Sequence, residues 1–106
     1  MVVKVTEDTF EQEVLKSDLP VLLDCYADWC GPCKMMSPVV DKMAEVFAGK
    51  LKVCKRNVDE DGGAVMEYRI MSIPNFLFFK NGEVVKNVVG GMAPAAFQKT
   101  IEEVLG

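Results

Sequence analysis

Apolar positions along this chain alternate between short continuous runs and longer stripes at helical spacing. Residues 21–27 are almost continuously apolar, which predicts a strand buried on both faces. The next segment repeats its apolar residues at intervals of four, three and four, which predicts a helix over about residues 32–48. Pro38 should kink this helix and Gly49 should cap its end. The apolar stripe consists of Met36, Val40, Met43 and Phe47.

The remaining segments continue this alternation of strand and helix. Asn81-Gly82 between two apolar runs is a strong hairpin signal and predicts two antiparallel strands. The other predicted elements are strands at residues 3–5, 51–58, 76–79 and 83–89, and helices at 6–18, at 65–68 and from Pro94, the last burying Phe97 and Ile101. The order βαβαβ(α)ββα predicts one α/β domain over residues 1–106, with a mixed sheet of about five strands flanked by about four helices.

Charge and the lengths of the apolar runs argue against two classes of partner. The 106 residues include 12 basic and 16 acidic side chains, a net charge of -4, and the basic residues form no run, so nucleic acid is an unsuitable partner. The apolar runs fall far short of the roughly 20 residues that a membrane span needs. Met1 leads almost directly into an alternating segment instead of a secretory signal. We expect a monomer in the cytoplasm, although an organellar form trimmed after import would look the same.

Four cysteines and the absence of histidine narrow the chemistry. A domain of this size and apolar content needs no disulfide framework, so redox or metal chemistry explains the cysteines better. Without histidine, Cys-His nucleophilic pairs and mixed Cys/His zinc sites are ruled out. Cys30 and Cys33 stand where the central strand gives way to the long helix, with Gly31 and Pro32 between them. A Cys-x-x-Cys pair in that position is the redox arrangement, against the alternatives of a structural disulfide or a chance pair.

The helix N-terminus makes the two cysteines unequal. Its unpaired N–H groups and partial positive charge favour a thiolate, so Cys30 should be the nucleophile. Cys33 lies one turn into the helix, should be less exposed, and is the natural resolving thiol. Pro32 suits a helix start, and Gly31 has no side chain to block an incoming sulfur. Because no cation lies between the cysteines, we expect a reductant.

Three further residues have two interpretations each. Asp24 interrupts the apolar strand, where burial would raise its pKa and let it exchange a proton with Cys33; it could equally face solvent. Cys25 and Cys54 are predicted to be inert core residues. Their alternative is a metal site, because Cys25-x4-Cys30-x2-Cys33 has the ligand spacing of a plant-type iron–sulfur cluster. A regular strand at Cys25 argues against that cluster, and we expect no cofactor besides the cysteine pair itself.

The run DCYADWCGPCK at residues 24–34, with Ile73-Pro74 and Gly90 downstream, resembles the thioredoxin family across essentially the whole chain. The resemblance implies the thioredoxin fold and reduction of oxidised protein substrates by thiol–disulfide exchange. It also implies recycling by a thioredoxin reductase that draws on NADPH or, in some organisms, ferredoxin. Lys55 matches a lysine that approaches the buried acid, and Pro74 matches a cis-proline that faces the active site.

The same resemblance implies an apolar substrate rim made of Trp29, Ile73, Pro74 and Gly90, beside Gly31 and Pro32. The chain departs from the usual family pattern at four positions: Cys25 and Tyr26 replace two aromatic residues, Ser72 a frequent glycine, and Asn75 a frequent threonine. Two rival functions remain open at this point. One is a binding module that uses the same rim without redox chemistry, and the other is a disulfide oxidase or isomerase.

Overall fold

The computed structural model describes residues 1–60 and 62–106. Within them, five strands and four helices alternate in the predicted order, and the α/β thioredoxin fold is confirmed. The first helix changes from α-helical to π-helical geometry halfway along. In chain order the elements are β1 Val2–Lys4, α1 Glu7–Phe10 with its π-helical continuation Glu11–Leu15, β2 Val21–Tyr26, α2 Gly31–Val46, β3 Lys52–Asn57, α3 Gly63–Tyr68, β4 Asn75–Lys80, β5 Glu83–Val89 and α4 Pro94–Leu105.

Boundaries of the first three helices differ from the predicted ones, and α3 begins at Gly63 instead of residue 65. The first helix ends three residues before residue 18, since the Lys16 N–H donates to the Glu11 carbonyl oxygen and closes a wider, π-type turn. The long helix begins at Gly31, one residue earlier than predicted, continues through Pro38 and ends at Val46, so that Phe47 is its C-cap and the predicted cap at Gly49 is wrong. Pro38 has no N–H to donate, so it removes one intrahelical hydrogen bond without ending the helix.

The sheet has the strand order β1-β3-β2-β4-β5, with β2 in the centre. Strands β1, β3 and β2 are parallel, and β4 and β5 are antiparallel to β2 and to each other. The predicted hairpin between β4 and β5 is confirmed, with Asn81 and Gly82 both at positive φ. Because β2 is central, both of its faces are covered, which explains why the run at residues 21–27 is continuously apolar.

Two hydrophobic cores cover opposite faces of this sheet. One packs α2 and α4 against Leu22, Val53, Phe76 and Phe78, while the other packs α1 and α3 against Leu23, Cys25, Cys54, Leu77 and Phe79. Alternation along β2 places Asp24 on the same face as Leu22, beneath α2. The carboxyl ends of β2 and β3 and the start of β4 meet at one edge of the sheet, and that edge carries the candidate site.

Candidate active site

Cys30 and Cys33 are joined by a disulfide at the N-terminus of α2. Cys30 is the N-cap of the helix, in an extended conformation, and Gly31 and Pro32 form the first turn. The Cys33 N–H donates to Cys30 Sγ over 3.2 Å. A backbone donor aimed at this sulfur, at the positive end of a helix, stabilises negative charge on Cys30 in the reduced form.

The two cysteine residues differ less in exposure than the sequence predicts. Cys30 is 4% and Cys33 5% exposed, so in the disulfide form Cys33 is not the more buried of the two. The cover is shared because the two cysteines form one small cluster, packed with Ala27 and bordered by Tyr26, Val58 and Ile73. In the disulfide form little of either cysteine is therefore exposed.

Ile73 and Pro74 lie against the disulfide, as the resemblance implies. The Ile73 carbonyl oxygen is 3.8 Å from Cys30 Sγ, and the Ile73-Pro74 peptide bond is cis. The Pro74 carbonyl oxygen accepts a hydrogen bond from the Gly90 N–H at 2.8 Å. Gly90 adopts a φ of 87°, which favours glycine. Three segments far apart in the sequence thus meet around Cys30.

Trp29 projects into solvent beside the disulfide, with 71% of its surface exposed. Its indole Nε1–H donates to Asp59 Oδ2 over 2.7 Å, and the Asp59 N–H donates to Asn57 Oδ1 over 2.9 Å. Asp59 thereby fixes the orientation of an exposed aromatic ring. Sequence reasoning missed Asp59, although an acidic residue just past β3 shares its sheet edge with the loop that follows the parallel strand β2.

Asp24 is buried, so the alternative of a solvent-facing aspartate is wrong. Among the described residues its Oδ1 atom has no hydrogen-bond partner. Burial raises the pKa of Asp24 from 3.8 to about 7, with Asp41 adding to the rise and the positive charge of Lys55 opposing it. Asp24 can therefore hold or release a proton near neutral pH, unlike an ordinary aspartate.

Lys55 lies directly opposite Asp24 in the register of β2 and β3. Its Nζ atom is 5.7 Å from the centroid of the Tyr26 ring, within range of a cation–π contact. Lys55 and Cys33 also border one cleft of about 210 Å³, large enough for several waters. The rest of that cleft is lined by Tyr26, Ala27, Asp28, Lys34 and Ser37.

Cys25 and Cys54 are not disulfide-bonded and lie buried in the core between the sheet and helices α1 and α3. Desolvation raises the pKa of Cys54 to about 11, which holds it as a neutral thiol. Across residues 1–60 and 62–106, no three cysteine or carboxylate side chains are grouped as metal ligands would be. None of the helices described is long and apolar enough to span a bilayer.

A disulfide between cysteines one helical turn apart, at a helix N-terminus and beneath an exposed aromatic rim, defines a thiol–disulfide oxidoreductase. Comparison with known proteins agrees with this class. The thioredoxin family model matches residues 1–103, and the chain belongs to the thioredoxin family.

Relatives from bacteria and a plant are 42% to 49% identical to this chain over the aligned residues. Thioredoxin 1 from Nostoc sp. is 48% identical over 100 residues, covering 94% of each chain. The thioredoxin of Pseudomonas aeruginosa is 49% identical over 92 residues, covering 87% of this chain and 85% of its own. The chloroplastic M-type thioredoxin of Spinacia oleracea is 42% identical over 101 residues, which span 95% of this chain and 56% of the spinach protein.

Proposed function

We propose that this protein reduces disulfides in other proteins, with Cys30 as the attacking thiolate and Cys33 as the resolving thiol. The observation that carries this proposal is the position of the Cys30–Cys33 disulfide, at the start of α2 with Cys30 Sγ 3.8 Å from the Ile73 carbonyl oxygen. A helix N-terminus supplies the charge stabilisation that a nucleophilic thiolate needs. An incoming substrate disulfide would meet Cys30 beside Ile73, at the start of α2.

The first step is attack of the Cys30 thiolate on one sulfur of the substrate disulfide. A bond forms between Cys30 Sγ and that sulfur, the substrate S–S bond breaks, and the other substrate sulfur leaves as a thiolate. A Cβ added at Gly31 would meet no atom within 4 Å, so the approach to Cys30 is open on the helix side. A larger residue at position 31 would project into this approach.

In the second step Cys33 loses its proton and attacks Cys30 Sγ, which breaks the mixed disulfide and releases the second substrate thiol. The substrate has then gained two electrons and the protein carries the Cys30–Cys33 disulfide. Asp24 is the proposed acceptor of the Cys33 proton, because its pKa of about 7 allows it to take up a proton at neutral pH and return it later. Lys55, across the strand pair and beside the shared cleft, would limit that pKa and keep part of Asp24 ionised.

The rim around Cys30 suits an extended substrate segment. Pro74 has no N–H that could hydrogen-bond within the protein at this point. The backbone of Ile73 is therefore the group that would pair with a substrate strand. The hydrogen bond to Asp59 fixes the orientation of the Trp29 ring, which would offer a rigid apolar face to that segment. Gly90, whose N–H donates a hydrogen bond to the Pro74 carbonyl oxygen, would extend this rim beyond Pro74.

Regeneration requires a second protein that supplies two electrons, and we propose a thioredoxin reductase for this role. The compartment must be reducing enough to keep the pair as thiols, and the buried thiols of Cys25 and Cys54 are in keeping with such a compartment. We propose the cytoplasm, with the interior of an organelle as the alternative that the spinach relative's name raises.

Trapping the mixed disulfide tests this mechanism. A Cys33→Ser variant, reduced and mixed with an oxidised disulfide-bonded protein, should accumulate a covalent adduct through Cys30 that dithiothreitol releases. Cys54→Ala is a matched control, since it also removes one thiol, and it should form no lasting adduct. An adduct attached through Cys25 or Cys54 would contradict the assignment of Cys30.

The direction of electron flow needs its own measurement. The protein is equilibrated with glutathione buffers of graded ratio, and the fraction of Cys30–Cys33 disulfide is quantified by mass after thiol alkylation. A reductase should stay oxidised until the buffer is strongly reducing, so that its dithiol form passes electrons to most protein disulfides. A pair that becomes dithiol already in mildly oxidising buffers would make the protein an oxidase or isomerase.

A further inference from the structure

An apolar cleft of about 450 Å³ begins at Pro32, inside the Cys30–Cys33 loop, and runs away from the disulfide along α2. It ends where α4 begins, so it joins two helices to the loop after β5. No charged side chain is among its lining residues, which are Pro32, Met35, Met36, Val39, Gly91, Met92, Ala93 and Pro94.

Three methionines build this cleft, and they differ in burial. Met36 is buried, and Met92 packs partly buried against the core beneath α2 and α4, so these two form a floor. Met35 is 79% exposed and forms a wall. Gly91 has no side chain to fill the side of the cleft opposite Met35, where a Cβ would touch the Met36 side chain at 3.6 Å. A large exposed apolar side chain over an apolar floor is characteristic of an interaction surface.

We propose that this cleft is a subsite for a large aliphatic or aromatic side chain of the oxidised protein substrate, within about three residues of the cysteine that Cys30 attacks. The inference rests on the proposed function. Pro32 belongs both to the redox loop and to the cleft, so the cleft is continuous with the site where substrate must bind. An extended chain advances about 3.3 Å per residue, so side chains two or three positions from the reacting cysteine can reach it.

The chemistry of the walls decides which side chains fit. A charged side chain would lose its hydration in a cleft that offers no partner, so it is excluded. Methionine side chains are unbranched and adapt to neighbours of different shape, so the subsite should accept leucine, methionine and phenylalanine alike. The cleft on the other side of Cys30, lined in part by Trp29, Met71 and Ile73, is only about 190 Å³. The larger substrate side chain therefore belongs on the Met35 side.

The test uses disulfide-bonded peptides that differ at one position, leucine or serine, two residues before or two residues after the reacting cysteine. Dithiothreitol regenerates the protein, so no reductase takes part. The wild type should reduce the leucine peptide with roughly tenfold higher kcat/KM than its serine partner, in one of the two placements. Met35→Glu should remove this preference, and Met35→Leu should keep it.

Met66→Glu is the matched control, because Met66 is 83% exposed, lies on α3 outside both clefts, and undergoes the same change of charge. It should retain the leucine preference. Equal treatment of leucine and serine peptides by the wild type would overturn the subsite, as would an unchanged preference in Met35→Glu. Failure of the wild type to reduce any disulfide would instead sink the proposed function.

Discussion

Two regions of this sheet hold two cysteines each, and only one region is suited to redox chemistry. Cys30 and Cys33 stand at the sheet edge, where β2 ends and α2 begins, and they form a disulfide. Cys25 and Cys54 lie on the central strands β2 and β3, in the core that faces α1 and α3. All four are buried, so burial alone does not separate a reactive cysteine from an inert one.

The difference lies in what surrounds each sulfur. Cys30 receives a backbone N–H at 3.2 Å and sits at the positive end of a 16-residue helix, next to the exposed Trp29. Cys54 has aliphatic and aromatic neighbours, and desolvation raises its pKa to about 11. Cys25 and Cys30 are only five residues apart along the chain. Their positions in the fold decide that one acts as a small hydrophobe and the other as a nucleophile.

The largest effect should follow from removing the nucleophile of the reactive pair. Cys30→Ala should lower the rate of protein-disulfide reduction by more than about a thousandfold, because it removes the sulfur at the helix N-cap and leaves Cys33 without the partner that completes the exchange. The rate is measured as the appearance of thiols in a disulfide-bonded substrate protein, with the wild type or variant as catalyst and dithiothreitol regenerating it. Cys54→Ala should stay within about twofold of the wild type. Comparable losses in both variants would erase the distinction between the two pairs.

Alkylation of the reduced protein should reveal the same division without any substrate. At pH 8 a thiol with a pKa of about 11 is ionised in only about one molecule in a thousand, and Cys54 is also shielded from reagent. Iodoacetamide should modify Cys30 first and leave Cys25 and Cys54 unmodified until denaturant is added. Peptide mapping by mass identifies the modified positions. Rapid labelling of Cys54 in the folded protein would show that the core opens more readily than its packing suggests.

Much of the fold could be predicted from the sequence because its signals are local. Helical spacing located α2 and α4, a continuous apolar run located the central strand, and Asn81-Gly82 located the hairpin. The π-helical end of α1 could not be predicted, since the Lys16 to Glu11 hydrogen bond depends on how that helix packs.

The site was predictable where its chemistry is local and unpredictable where it depends on distant segments meeting. Cys30 and Cys33 carry their own signal, a cysteine pair at a strand-to-helix junction. The face of β2 that Asp24 occupies could not be inferred, because a strand that is apolar on both faces hides the alternation. The Trp29–Asp59 hydrogen bond joins residues that are far apart in the sequence, and so does the cleft shared by Pro32 and Met92. No short stretch of sequence could therefore predict either feature.

Asp24 adjoins Cys25 on β2 but points to the other face, and its titration should make stability depend on pH. The pKa of Asp24 is about 7 in the folded protein, whereas its ordinary value is 3.8. At pH values between 3.8 and 7, Asp24 is therefore protonated in the folded state and ionised in the unfolded state. Stability from this group is therefore full below about pH 4, falls as pH rises, and reaches its minimum above pH 7. Asp24→Asn should abolish this fall and stabilise the protein at pH 8 by up to about 4 kcal/mol.

Denaturant unfolding of both proteins at pH 4, 6 and 8 measures the difference. The advantage of Asp24→Asn should grow from pH 4 to pH 8. Asp18→Asn makes the same charge change at an exposed position and serves as the control, without the growing advantage. A constant difference at all three pH values would mean that the Asp24 carboxyl has its ordinary pKa.

The smallest effect should come from the inert pair. Cys25→Ala and Cys54→Ala each delete one buried sulfur from close-packed surroundings, so each should lower the free energy of unfolding by about 1–2 kcal/mol. Both residues lie on strands that are paired on both sides: Cys25 is opposite Arg56 and Asn75, and Cys54 is opposite Val3 and Leu23. Neither change touches the α2 face, so the glutathione equilibrium of Cys30 and Cys33 should match that of the wild type. A shifted equilibrium in Cys25→Ala would mean that the two regions are coupled through β2, and that the core beneath the site tunes its chemistry.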